Sequence, residues 1–309
     1  MTRFCAKESV ERRDNYLGTM TTVKCYLLIE YDNSWSKEIN NLLENSKIET
    51  EVVNHINDFT EWCPEDVKVL FIKNKETGSG KKIYLTRVHK GKEKVSEFFV
   101  DNYKDILTID LKNAYKNPGG CKNILVVCTH GKHDKCCAKF GHPVFLGLSK
   151  WIKNTGANFE VWECSHVGGD RFAANIIWLP YGLGFGHVEL DTEIFLNKLI
   201  QNKIPLEYFR GCSFFSSAGQ FLEGVIRKKY NLDNPGGVEV IRNIENHDNE
   251  GNIYVDIEMS FKEIGTQSIS GLISIRLDKE NGKVLASCND GGYAYPRIIE
   301  LVNIPNNPN

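Results

Sequence analysis

The chain is short of the signals that would place it in several large functional classes. Basic residues are not in excess: 38 Lys and Arg stand against 40 Asp and Glu, a formal charge of -2. With no long basic run either, nucleic acid is not an expected partner. No apolar stretch is long enough to span a bilayer. The most apolar extended one, residues 173–188, is broken by Pro180 and three glycines. The N-terminal MTRFCAKESVERRDN lacks the apolar core of a secretory signal. These absences predict a cytoplasmic protein without membrane association. Common catalytic signatures are missing as well. There is no CxxC, no G-x-S-x-G elbow, and no carboxylate pair that supports glycoside hydrolysis. Ser165 and His166 are strand neighbours that point to opposite faces, so they make no dyad. GLGFG at 182–186 lacks the strand-to-helix context of a nucleotide loop.

Cysteine, by contrast, is plentiful. The ten are Cys5, Cys25, Cys63, Cys121, Cys128, Cys136, Cys137, Cys164, Cys212 and Cys288. In a reducing compartment, clustered thiols point to metal or redox chemistry rather than to a disulfide framework. Four of the ten, and four of the eight histidines, fall between Cys128 and Asp170.

Periodicity predicts an α/β chain. Strands are expected at Val23–Tyr31, 47–56, Asp66–Asn74, 82–90 and Lys94–Asn102, with a helix over 36–46. Asn113–Gly120 carries Asn, Pro and two glycines and reads as a break. A second unit follows with a buried strand at Asn123–Cys128. A helix over 143–156 comes next, with Pro143 in its first turn and Gly156 as its stop. A strand is expected at 157–165, then two more joined at Pro180-Tyr181-Gly182. Helices are predicted from Asp191, a plausible cap, and from Ser216 or Ser217. Beyond the 231–237 linker, four runs alternate as strands. The expected organisation is 1–118, an N-terminal α/β unit; 119–230, a second α/β unit; and 231–309, a β-rich region. Units one and two both open with a long buried strand followed by a helix, so the first reads as a degenerate copy of the second. Cys25 alternates with apolar neighbours and reads as plain core.

Two polar runs, CTHGKHDKCC and CSHVGGD, each follow a strand, and a helix lies between them. A β-turn-helix-β-turn arrangement brings both to one sheet edge, where soft ligands converge. Cys136 and Cys137 lie eight and nine residues after Cys128. Being adjacent, they do not easily face one site. One of them is expected to ligate and the other to pack or hydrogen-bond. In the second run, Gly168-Gly169 permits a tight turn and close backbone approach. Asp170 falls four residues after His166, close enough for one helical turn to align them. Thiolates with imidazole select zinc, copper(I) or iron–sulfur. Lys132, Lys135, Lys139 and Arg171 would offset thiolate charge.

CTHGKHDKCCAKFG followed by VWECSHVGGDRFAANIIWLPYGLGFGHV resembles the sucrase/ferredoxin-like family. The resemblance extends to FCAKES and to YFRGCSFFSSAGQFLEGVIRKKY. It implies a thioredoxin-like ferredoxin domain over 119–230 holding a [2Fe-2S] cluster through two cysteines and two histidines. The cysteines fall on Cys128 and Cys137 and one histidine on His166. The second histidine position is Asp170, because the usual HxGGH reads HVGGD here. Carboxylate is a harder ligand than imidazole. Three readings stay open: Asp170 ligates; Cys164, Cys136, His130, His133 or His142 substitutes; or the fold persists without the cluster. The implied function is electron transfer or redox sensing with a transient redox partner protein. The alternative is a thioredoxin-like structural or interaction protein, with no cluster or with structural zinc at the same residues.

Overall fold

Runs of buried aliphatic residues supply the strands of the main sheet. They are β1 (Cys25–Glu30), β2 (Val67–Lys73), β3 (Lys81–Arg87), β4 (Lys94–Val100), β5 (Ile124–Cys128), β6 (Glu160–Cys164), β7 (Ile176–Leu179), β8 (Leu183–Phe185) and β9 (Phe209–Cys212). In this computed structural model they form one nine-stranded sheet, ordered β4-β3-β1-β2-β6-β5-β7-β8-β9. The structure describes residues 3–74, 78, 80–88, 94–189, 193–248, 253–264, 268–289 and 291–303. The helices are α1 (Cys5–Arg12), α2 (Thr50–Trp62), α3 (Leu111–Lys116), α4 (His142–Thr155), α5 (Glu193–Ile200) and α6 (Ser217–Tyr230). Among the described residues, no helix is long and apolar enough to cross a membrane.

The sheet repeats one topology. β1 runs parallel to β2 and antiparallel to β3, which pairs antiparallel with β4. β5 likewise runs parallel to β6 and antiparallel to β7, which pairs antiparallel with β8. A helix, α2 or α4, connects each parallel pair. Both halves therefore have the thioredoxin-like order of strand, helix, parallel strand and hairpin. They meet at β2 and β6, antiparallel and only at their ends, through Ile72 opposite Cys164 and Lys73 opposite Glu163.

Alternation along β1 divides the core. Cys25, Leu27 and Ile29 join Val52, Ile56 and Phe59 of α2. Tyr26 and Leu28 turn to the larger core shared with β5 and β7. Cys25 is thus a core residue, as its pattern predicts. Two local expectations fail. The expected strand at 47–56 is instead the start of α2, whose buried Val52, Val53, Ile56 and Phe59 follow helical spacing. Paired β-branched valines suggested a strand, and the pattern shows itself only when Phe59 is included. The expected helix at 36–46 is a series of turns. Leu42 and Leu43 still bury, but the Ser46 hydroxyl accepts from the Ile48 N–H at 3.1 Å and Tyr31 Oη accepts from the Lys47 N–H at 2.9 Å. These side chains hold the Lys47 and Ile48 N–H groups and stop the turns from continuing as a helix.

The later helices form as expected. Pro143 lies in the first turn of α4, and Gly156 closes that helix in a left-handed conformation (φ 66°). Ser216 caps α6 by accepting from the Gly219 N–H at 3.3 Å. The Asp191 cap lies outside the described residues. A four-stranded antiparallel sheet follows: β10 (Val238–His247), β11 (Ile253–Phe261), β12 (Ser268–Leu277) and, beyond a small β13 (Val284–Leu285) and β14 (Tyr293–Ala294) pair, β15 (Arg297–Asn303). α6 packs between β9 and this second sheet. Covered on both sides, it buries even the Glu223–Arg227 ion pair (3.0 Å).

Candidate metal centre

β5 and β6 end in register, with Cys128 opposite Cys164. Beyond Cys128 the chain loops and returns through a π-helical turn, Cys137–Gly141, that runs into α4. Gly141 rests on the Cys128 carbonyl, where a Cβ would lie 2.0 Å from the oxygen. Only glycine allows that approach, and the approach carries Cys137 back to the end of β5. Beyond Cys164, Ser165 is clamped to β2. Its Oγ accepts from the Phe71 N–H (3.0 Å) and its own N–H donates to the Phe71 carbonyl (2.8 Å). Gly168 and Gly169 then adopt φ of 95° and 81° and turn the chain so that Asp170 faces Cys137.

Sulfur and nitrogen donors converge there. Donor atoms of Cys128, Cys137 and His166 all lie within 4.8 Å of one another, as do those of His133, His166 and Asp170. The Cys137 thiol donates to Asp170 Oδ1 at 3.3 Å. His166 Nδ1 is 3.2 Å from the same oxygen, yet it is buried without an aligned hydrogen-bond partner. His133 Nε2 is 3.7 Å from Asp170 Oδ2, and the His133 and His166 rings are 3.9 Å apart between centroids. His130 sits behind: its Nδ1 accepts from the His166 backbone N–H at 3.2 Å. All four residues singled out from the sequence, Cys128, Cys137, His166 and Asp170, therefore share one buried pocket.

The electrostatics favour an anionic sulfur. A shared hydrogen bond with Cys137 pulls the Cys128 thiol well below its usual range, and His166 adds to this against the effect of burial. Cys137 is pushed up by the same bond. Burial alone would depress His166, but Asp170 and Cys128 outweigh it and raise the imidazole to about 9. Burial would raise Asp170, and the nearby His166 imidazole and the Cys137 thiol lower it instead. Burial depresses His130 to about 4, which keeps it neutral.

Of the substitutes considered for the fourth position, His133 alone comes into the group among the described residues. His142 turns away to Glu163 Oε1 (2.8 Å). Cys136 points to Cys5 and Cys288, and Cys164 belongs to neither group. Adjacent Cys136 and Cys137 point to different groups of side chains, Cys137 to Asp170 and Cys136 to Cys5 and Cys288. Sequence reasoning missed Arg210. Its buried guanidinium lies under the Gly168-Gly169 turn and donates to the Gly168 carbonyl (3.2 Å) and Asn175 Oδ1 (2.6 Å). It also donates to Thr19 Oγ1 (3.2 Å) and the Thr19 carbonyl (2.8 Å). A Cβ on Gly169 would strike it at 2.4 Å. Burial lowers Arg210 to about 10, still cationic at neutral pH, with Asp170 and Cys128 holding it up. An unexplained arginine 40 residues beyond Asp170 gave no local signal.

The fold and the pocket together define an α/β protein with thioredoxin-like halves and a Cys/His/Asp group able to coordinate a metal ion. The chain belongs to the sucrase/ferredoxin-like family, whose sequence profile matches residues 16–211. A shorter stretch is similar to Altered inheritance of mitochondria protein 32 of Debaryomyces hansenii, 32% identical over 59 residues. That stretch is 19% of this chain and 22% of the relative, so the match spans about a fifth of the relative's length. No solved structure matches the chain.

Proposed function

We propose that the chain is a [2Fe-2S] electron-transfer or redox-sensing protein, with Cys128, Cys137, His166 and Asp170 as its ligands. The observation that carries this reading is the convergence of two thiols and an imidazole with His166 Nδ1 buried and unaligned to any partner. Donors of that softness fit sulfide-bridged iron. Asp170 supplies the fourth donor, and His133 stands next to it. When bound, the cluster takes up and gives back one electron at a time, at a potential set by ligands, hydrogen bonds and exposure.

The chain's own residues prepare the pocket. Cys128 is held toward thiolate by its neighbours. His130 fixes the backbone at His166. Arg210 holds the Gly168-Gly169 turn and places a positive charge near Asp170 and Cys128. β2 walls one side through Ser165, leaving His133 on the more open side. A redox partner protein would dock transiently there, beside Lys132 and Lys135. Clustered thiols of this kind suit a reducing compartment such as the cytoplasm.

The test is anaerobic purification followed by visible absorption, iron and acid-labile sulfide assays. About two irons and two sulfides per chain are expected, and Cys128→Ser should abolish both. A colourless wild type that stays colourless after reconstitution with iron and sulfide would refute the reading. Stoichiometric zinc in the pocket of such a protein, lost on Cys128→Ser, would identify a structural Cys2His site instead.

A further inference from the structure

Cys5, Cys136 and Cys288 are far apart in sequence and play no part in the pocket above. The fold nevertheless gathers them. Cys5 opens α1, Cys136 immediately precedes the π-helical turn, and Cys288 lies between β13 and β14. Cys136 Sγ is 3.5 Å from Cys5 Sγ and 3.3 Å from Cys288 Sγ. An oxygen of Asp134 joins them, and all four donor atoms lie within 4.8 Å of one another. We propose that Cys5, Cys136, Cys288 and Asp134 form a second, separate metal site that binds zinc.

Three sulfurs around one point are the wrong number for a disulfide, which would leave one thiol over. They suit a tetrahedral ion, since zinc–sulfur bonds of about 2.3 Å imply sulfur separations of about 3.8 Å. The observed separations need to open by only a few tenths of an ångström. Two backbone donors are aimed at the sulfurs. The Cys5 N–H donates to Cys288 Sγ at 2.9 Å, and the Ala6 N–H donates to Cys136 Sγ. Both come from the first turn of α1, whose N-terminus therefore faces the sulfurs and favours negative charge.

Asp134 is fully buried. Its Oδ1 accepts from the Cys136 N–H (2.7 Å), and its Oδ2 accepts from Ser287 Oγ (2.9 Å) and the Cys288 N–H (2.5 Å). The carboxylate thus aligns two of the three cysteine-bearing segments and keeps a lone pair for the fourth coordination position. Zinc binding would release the protons of the coordinating thiols to solvent. Lys135 and Lys139, stacked over the Phe4 ring at 5.9 and 5.2 Å, offset the remaining negative charge. Because Cys136 and Cys137 are adjacent, an ion here would also hold the backbone that presents Cys137 to the first pocket.

The test is metal analysis of the full chain purified without chelator. About one zinc per chain is expected. Cys288→Ser and Cys5→Ser should lose it, while Cys128→Ser should keep it. Cobalt(II) added to reduced, chelator-stripped Cys128→Ser protein should give thiolate-to-cobalt charge-transfer bands that the added Cys288→Ser change removes. Differential alkylation of the wild-type protein reads the same site without any substitution. Zinc should protect Cys5, Cys136 and Cys288, and a chelator should expose them. A folded Cys288→Ser protein that keeps its zinc would overturn the proposal. So would equal alkylation with and without zinc, or a Cys136 disulfide to Cys5 or Cys288 in reduced preparations.

Discussion

Arg210→Met would remove a buried cation while roughly preserving the volume of the side chain. Four hydrogen bonds go with it: to Thr19 Oγ1, the Thr19 carbonyl, the Gly168 carbonyl and Asn175 Oδ1. A hydrogen bond involving a charged group contributes about 1.5–3 kcal/mol. Simple addition of four would overstate the loss, because deleting the guanidinium also removes its own desolvation penalty, worth several kcal/mol. A net destabilisation of about 3–5 kcal/mol remains, the range seen when one member of a buried polar network is deleted. The loss is local before it is global. With Gly168 and Asn175 unsupported, the turn that carries Asp170 loosens, so bound metal should leave at a lower urea concentration than that of unfolding. Equilibrium urea unfolding by tryptophan fluorescence, with iron or zinc release followed in parallel, reads both effects. Arg210→Lys should recover only part of the stability, since an ammonium cannot reach Thr19 and Asn175 together. A loss under about 1 kcal/mol with unchanged metal retention would refute the role given to Arg210.

Other outcomes follow from single contacts. Asp170→His, which exchanges a hard donor for a softer one, should slow the loss of visible absorption in air; faster bleaching than wild type would argue against Asp170 as a ligand. Glu160 lies among Lys122 (2.7 Å), Lys82 (3.0 Å) and Tyr84, and although burial opposes ionisation these partners lower it to about 2. Its stabilising contribution is present above its unfolded value of about 4.3 and is lost as pH falls through about 2. Glu160→Gln should therefore flatten the stability profile between those limits in acid-titrated thermal melts, and an unchanged profile would contradict the assignment. Glu223→Ala leaves Arg227 buried beside the carbonyls of Leu232 and Asn234, and should cost about 3–5 kcal/mol in urea unfolding.

The parts of the fold that could be read from sequence are those whose cause is local. The buried runs of β1, β5 and β7, the Pro143 and Gly156 signals of α4 and the Ser216 cap of α6 each carry their own explanation. Residues 36–56 did not, because side chains of Tyr31 and Ser46 capture backbone groups there and because Phe59 completes a pattern that looks extended without it. The pocket was legible where two strand ends in register had to bring their loops together. His133 joined it only through the path of the returning loop. Arg210 and the Cys5–Cys136–Cys288 group depend on chain crossings that no spacing encodes, with 131 and 152 residues between the paired sulfurs.

The seam between β2 and β6 has a thermodynamic consequence. The ladder between the two repeats is only two residue pairs long, and the core that Tyr26 and Leu28 share with β5 and β7 supplies the rest of their coupling. Here the Ser165 clamp makes β2 part of the pocket wall, so the pocket exists only while both repeats are folded and docked. Any occupant that recognises the assembled state alone must stabilise the strands on the far side of the seam as well as those that touch it. Filling or emptying the pocket in one repeat therefore sets the cooperativity of the whole sheet, and the repeat without the pocket becomes a reporter of its occupancy.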